Sequence, residues 1–146
     1  MSNLPTKQKV YVYCVQDDKL LVFRHVDFTY EETGIQVPGG TVKDGEDLKI
    51  AALRELCEET GQTTFEIVDY LGQAMYNMLP KPEIHDRHFF LARPTRPLPE
   101  KWRSTEDHDG LKPPTHFECF WIPLRSAQVL SAGQGALLHK LFPPYV

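Results

Sequence analysis

The sequence is poor in the features that would place it in several large protein classes. Its three cysteines, Cys14, Cys57 and Cys119, are far apart and form no CxxC pair. An odd, scattered set of this kind gives no disulfide framework and reads as free thiols in a reducing compartment. No apolar run approaches the length of a membrane span, and the opening residues Met-Ser-Asn-Leu-Pro-Thr-Lys lack the apolar core of a secretory leader. Positive charge is not in excess either. Lys and Arg total 16 against 20 Asp and Glu, a net charge of -4. That balance disfavours a nucleic-acid duplex as the main partner, because such binders present a basic face. A phosphorylated small molecule stays open, since a bound divalent cation can bring positive charge to an acidic site. The chain has no internal repeat. The expectation is a soluble, cytoplasmic protein with one domain over residues 1–146, large enough to enclose its own core.

What is present is strand-rich. Residues 9–14 and 20–25 are dense in β-branched and aromatic side chains around the polar turn Gln16–Lys19, the pattern of a hairpin. Residues 27–36 read as a polar loop ending in Val37-Pro38-Gly39-Gly40. Good helix formers then run from about Asp47 to Thr60, with Gly61 placed as a C-terminal cap. Phe65–Tyr76, His88–Ala92 and Phe117–Ile122 read as strands, and Ser126–Leu141 as a C-terminal helix. Between Arg93 and Thr115 lie five prolines and no periodicity, so this stretch reads as a long loop.

The helix at 47–60 carries the chemistry. At 100° per residue, Glu55, Glu58 and Glu59 share an arc of roughly 100°. Ile50, Leu53 and Cys57 fall opposite and form the stripe expected to dock on a core, while the small Ala51 and Ala52 near the acidic face would let a backbone come close. An isolated cluster of glutamates is usually a solvated helix face. Here the spacing adds context. From Gly40 there are five residues to Glu46, seven more to Arg54-Glu55-Leu56, then Cys57, Glu58-Glu59, Thr60 and Gly61-Gln62.

This segment, Gly40–Gln62, resembles the Nudix box GX5EX7REUXEEXGU at every fixed position. It departs only at the last aliphatic position, where Gln62 stands. The resemblance implies an α/β class and the Nudix fold, an α/β/α sandwich with a mixed β-sheet. It implies Mg²⁺-dependent hydrolysis of a nucleoside diphosphate linked to another group, with Mn²⁺ able to substitute. Metal ligation would fall to Glu55, Glu58, Glu59 and the backbone carbonyl at Gly40, with oxygen donors suited to a hard cation. Glu46 and Arg54 would pair and hold the box loop on its helix.

The general base would come from the box, as Glu55 or Glu58, or from a later carboxylate. Glu106, Asp107, Asp109 and Glu118 are available, and Glu106 is preferred. Arg24, Gly39 and Arg87 are the expected substrate contacts. Strand alternation sends Arg87 and His88 to opposite faces, so at most one of them meets the ligand. His85, His108 and His116 have no metal-ligand spacing. Tyr76, Phe28 and Trp102 are candidates to stack on a nucleobase; Tyr76 is read as core first, whereas Trp102 in the proline-rich stretch is expected to serve a substrate lid or a homodimer contact. Family markers for particular substrates, near Tyr76 and Pro80, are out of register. The partner expected is therefore a small nucleotide, a nucleoside triphosphate (ordinary or oxidised) or a nucleotide sugar such as ADP-ribose. An RNA 5′-end pyrophosphohydrolase and a non-catalytic nucleotide sensor are the rival readings.

Overall fold

The computed structural model describes residues 4–142. The amino-terminal hairpin pairs β1 (Thr6–Gln16) with β2 (Lys19–His25), its turn formed by Asp17 and Asp18 at positive φ. Phe23 and Gln36 bridge where the chain turns back along β2 toward β3 (Gly39–Thr41), which pairs antiparallel with Lys9–Tyr11 of β1. The 27–36 region is not a bare loop. It holds a one-turn helix α1 (Tyr30–Thr33) opened by a capping box between Thr29 and Glu32.

Next come the box helix α2 (Leu48–Thr60) and the long hairpin of β4 (Phe65–Met78) and β5 (Glu83–Pro94). A strand β6 (Lys101–Glu106) follows, then β7 (Thr115–Pro123). The sheet order is β4-β5-β1-β2-β7-β6, with β3 beside β1, and it is mixed because β1 and β5 run parallel.

Two apolar clusters cover the two faces of this sheet. Val10, Val12 and Cys14 of β1 point with Phe23, Phe90, Phe117 and Cys119 toward α2. Tyr11 and Tyr13 point the other way, with Leu20, Val22, Phe89 and Leu137. The second face is closed without a carboxy-terminal helix. Residues Leu124–Val129 and Leu138–Leu141 form short 3-10 turns where a continuous helix over 126–141 was expected. The interruption has a local cause: Ala132 and Gly133 adopt positive φ, which ends a right-handed helix.

The expected docking stripe of α2 is also corrected. Ile50 is 61% and Leu53 37% exposed, and only Cys57 of that trio lies against the core. The buried face is Ala51, Ala52, Leu56 and Thr60, together with the carboxylates Glu55 and Glu59. The helix is embedded by its small and acidic side, because alanines permit a closer approach to the sheet than Ile or Leu would.

The proline-rich stretch contains β6, a strand hidden by its polarity. Lys101, Arg103 and Thr105 face solvent, while Trp102, Ser104 and Glu106 turn toward α2. Trp102 therefore turns inward and does not form a lid. Its indole N–H donates to the carbonyl of Thr60 at 2.7 Å, and its ring packs on the core. Ser104 donates to the carbonyl of Glu59. Together they satisfy carbonyls that the helix end leaves unpaired.

Among the described residues no helix is long and apolar enough to cross a membrane. Gly61 ends α2 in the left-handed region at φ 69°, its N–H on the carbonyl of Cys57. Alanine there meets only ordinary contact, from Ser104, so the cost is the backbone angle alone. Gly61→Ala is expected to lower unfolding stability by about 1 kcal/mol, read from urea denaturation midpoints.

Candidate active site

The box loop is braced by one arginine. Arg54 forks onto Glu46 through Nε at 2.8 Å and Nη2 at 2.9 Å, and Nη2 also donates to the Thr41 carbonyl at 3.1 Å. Its remaining nitrogen, Nη1, donates to Glu55 at 2.9 Å and to Glu58 at 3.3 Å. The bidentate pair holds the Glu46 carboxyl down at about 2, the bond from Arg54 being the main cause and the Lys43 N–H adding to it. Asp47 caps the helix by accepting from the amides of Lys49 and Ile50.

The two glycines of β3 set the approach of strand to helix. A side chain on Gly40 would overlap the Glu55 carboxylate, and one on Gly39 would overlap Tyr11 and the Val10 carbonyl. Neither position has room for a Cβ. The Gly39 N–H donates to Glu59 Oε1 at 2.6 Å, so Glu59 is turned to the strand.

Glu55 and Glu58 are joined by Glu106 from the end of β6, their carboxylate oxygens lying within 4.8 Å of one another. Two elements about fifty residues apart in the chain thus converge. The other carboxylates considered as a base stand elsewhere: Glu118 is tied to Arg24 at 2.9 Å, and Asp107 and Asp109 line a cleft beside Glu58 and Glu106 without joining the trio.

Burial raises the proton affinity of Glu55, Glu59 and Glu106. Glu55 is pushed up to about 7 by loss of water, against the pull of Arg54, with repulsion from Glu58 and Glu106 adding to the rise. Glu59 is driven well above the ordinary carboxylate range by burial and then by Glu55. Glu106 is raised too, first by burial and then by Glu58, against His108. Carboxylates that resist ionising together, all of them oxygen donors, fit a hard divalent cation.

On the other face of β3 lies a cavity of about 570 Å³ lined by Lys9, Tyr11, Tyr30, His85, Arg87 and Gln134, among others. Arg87 is only 2% exposed, clamped between the rings of Tyr76 at 3.9 Å and Tyr11 at 4.9 Å. His88 points to the opposite face, its Nδ1 2.8 Å from the Tyr70 hydroxyl. Arg24 does not reach the acidic cluster. It shares the face of Leu20 and Val22, away from α2, and is paired with Glu118 and set over Tyr30.

Lys9, Tyr11 and Gln134 escaped the sequence reading. Lys9 and Tyr11 are one alternation apart on β1, a signal present in the sequence. Gln134 had none, because its neighbours were read as helix.

A carboxylate whose folded pKa lies above its unfolded value of 4.5 binds its proton more tightly in the native state. Stability then falls as pH rises between the two values. For Glu55 the window runs from about 4.5 to about 7. Metal-free protein should lose melting temperature across that window, and Glu55→Gln should flatten its share of the slope. Added Mg²⁺ should raise the melting temperature more at pH 7.5 than at pH 5. Equal gains at both pH values would contradict the site.

The NUDIX domain model matches residues 5–141. Among curated proteins, the chain is 61% identical over 70 residues to Nudix hydrolase 25 of Arabidopsis thaliana, a stretch covering 47% of this chain and 39% of that protein. It is 40% identical over 68 residues to an RNA pyrophosphohydrolase of Caulobacter vibrioides, covering 46% of this chain and 38% of the relative. With the ADP-ribose pyrophosphatase of Bacillus subtilis identity is 34% over 101 residues, covering 67% and 52%. The matched stretches thus span only two fifths to one half of these relatives' lengths. In structure, the MutT protein of Methanosarcina mazei superposes with a TM-score of 0.68 at 21% identity, covering 96% of this chain and 95% of its own. That likeness extends to the mixed sheet with its embedded helix, the Nudix α/β sandwich. With its box on α2 and the family model spanning nearly its whole length, the chain belongs to the NUDIX family.

Proposed function

We propose that this protein hydrolyses the diphosphate bond of a nucleoside diphosphate joined to a second group, with Mg²⁺ as cofactor and Mn²⁺ as substitute. The observation that carries the reading is the convergence of Glu55, Glu58 and Glu106 from two separate elements. Glu55 and Glu58 would hold the cation, with the Gly40 carbonyl as a backbone donor and Glu59 behind them, anchored on Gly39. A divalent cation at this position offsets phosphate charge and lowers the pKa of the attacking water.

The chain's own residues supply the rest. Glu106 is the general base that takes the water's proton. Its raised proton affinity brings it nearer to the pH at which such a base works. Arg54 keeps one N–H on each of Glu55 and Glu58, steadying both carboxylates. The substrate spans β3, with its diphosphate at the acidic cluster and its other portion in the cavity of Lys9, Tyr11 and Arg87. Arg87 Nε and His85 Nδ1 are buried there without hydrogen-bond partners among the described residues. A polar ligand on that wall would offset such a cost.

The favoured substrates are a nucleoside triphosphate, ordinary or oxidised, and a nucleotide sugar such as ADP-ribose. The relatives include an RNA pyrophosphohydrolase and an ADP-ribose pyrophosphatase, so a direct assay decides the class. A 5′-triphosphorylated RNA end is the second reading. It is favoured by the similarity to the Caulobacter relative.

A substrate panel with Mg²⁺ or Mn²⁺, scored by which phosphate bond is cut, decides among these. Glu58→Gln is expected to lower kcat by about a hundredfold or more while the protein stays folded by circular dichroism. Nucleotide binding without phosphate release by the unaltered protein would instead indicate a sensor. Glu106→Gln should lower kcat by a similar factor, and a loss smaller than about tenfold would remove Glu106 as the base.

A further inference from the structure

The box is steadied from a part of the chain far outside it. The segment ahead of Gly39 carries a buried amide, Val37 N–H, that no strand partner satisfies. It donates to Oε1 of Gln134 at 2.8 Å, across 97 residues of sequence. Gln134 is itself 4% exposed and held at several points. Its carbonyl accepts the Tyr13 hydroxyl at 2.6 Å, its N–H donates to the Ser131 carbonyl at 3.0 Å, and its amide nitrogen reaches Gln36 Oε1 at 3.5 Å. Neighbouring residues are tied in parallel, with the Ser131 N–H on the Ile35 carbonyl and the Ala132 carbonyl accepting from Arg87.

From Val37 the chain passes to Pro38, whose carbonyl accepts the Val12 N–H at 2.9 Å, and then to Gly39, whose N–H holds Glu59. We infer that Gln134 is a positioning residue for the metal site: its side-chain oxygen fixes Val37 and, through it, the Gly39–Gly40 backbone against which Glu59 and Glu55 are set. The inference rests on the hydrolase reading above. Without the Gln134 oxygen a buried N–H two residues from Gly39 has no partner, and the backbone must shift to find one. Because the carboxylates meet this backbone with no side chain between, a small shift moves them directly. Outer partners of this kind commonly change metal affinity by about tenfold to a hundredfold.

The test compares Gln134→Leu with Tyr13→Phe. The second variant frees the same carboxy-terminal turn from its carbonyl anchor but leaves the bond to Val37 in place. Mn²⁺ binding is read by electron paramagnetic resonance, with amide exchange at Val37 and Gly39 followed in metal-free protein. In Gln134→Leu, exchange at Val37 should quicken and the Mn²⁺ dissociation constant should rise about tenfold. In the same variant kcat should fall by a similar factor, while KM also responds because Gln134 lines the cavity of Lys9, Tyr11 and Arg87. Tyr13→Phe should stay within about twofold of the unaltered protein in both Mn²⁺ affinity and kcat. Gln134→Met removes the same oxygen with an unbranched chain and decides the matter if the leucine variant does not fold.

A Gln134 variant that binds Mn²⁺ as the unaltered protein does would overturn the inference, as would equal losses in Tyr13→Phe. Unaltered protein that takes up no Mn²⁺ would overturn the hydrolase reading and this inference with it. The two failures are therefore distinguishable.

Discussion

The structure is organised around an electrostatic burden: two glutamates, Glu55 and Glu59, are pressed against a strand that has no side chains to separate them from it, with a third, Glu58, exposed beside them. Like charges in a poorly hydrated place raise one another's proton affinity, and here a single guanidinium stands among them. Arg54 gives its bidentate face to Glu46 and has one nitrogen left for both Glu55 and Glu58. The brace is thus sufficient to shape the loop and insufficient to neutralise the cluster. Several surrounding choices follow from keeping the carboxylates in that place. Ala51 and Ala52 let the helix sink to the sheet, the glycines of β3 make room for carboxylate oxygens, and Trp102 and Ser104 satisfy carbonyls at the helix end while β6 delivers Glu106.

The sheet separates two kinds of work. Toward α2 it presents the acidic cluster, and away from α2 a cavity whose wall includes a cation held between two tyrosine rings. The strand between them is only three residues long, with Gly39 and Thr41 facing the cavity side and Gly40 facing Glu55. Lys9 binds Thr41 Oγ1 at 2.6 Å and so stands at the crossing point. A diphosphate is a suitable object for such a place, since it is charged at its middle and carries different groups at its two ends.

What could be read in the sequence and what could not divide along a physical line. The amino-terminal hairpin, the box helix with its Gly61 cap and the strand at Phe65 are set by local pattern, and each stands where local pattern put it. The spacing of the box named the carboxylates because helical periodicity is rigid over one or two turns. The failures have a different character. Strand β6 was hidden because an edge strand whose outer face is Lys101, Arg103 and Thr105 lacks apolar alternation. The embedding of α2 was misjudged because Ile50 and Leu53 are the larger hydrophobes on the helix, while burial went to the side where small residues allow close approach. The carboxy-terminal turns read as a helix because Ala, Leu and Gln favour one, and the backbone angles at Ala132 and Gly133 override that preference. Gln134 was invisible for a further reason: its importance lies in one bond to a residue 97 positions away.

That bond has a consequence for the order in which the molecule is assembled. The box helix and its glycine strand belong to the first half of the chain, yet Val37 finds its partner only in residue 134, and Tyr13 bonds to that same residue across 121 positions. Closing loops of this size comes late, because their entropic cost precedes any reward from contact. Until the carboxy-terminal turns are in place, the Val37 N–H beside the box has no partner. The most sequence-local motif in the protein is therefore among the last parts of it to take its working shape.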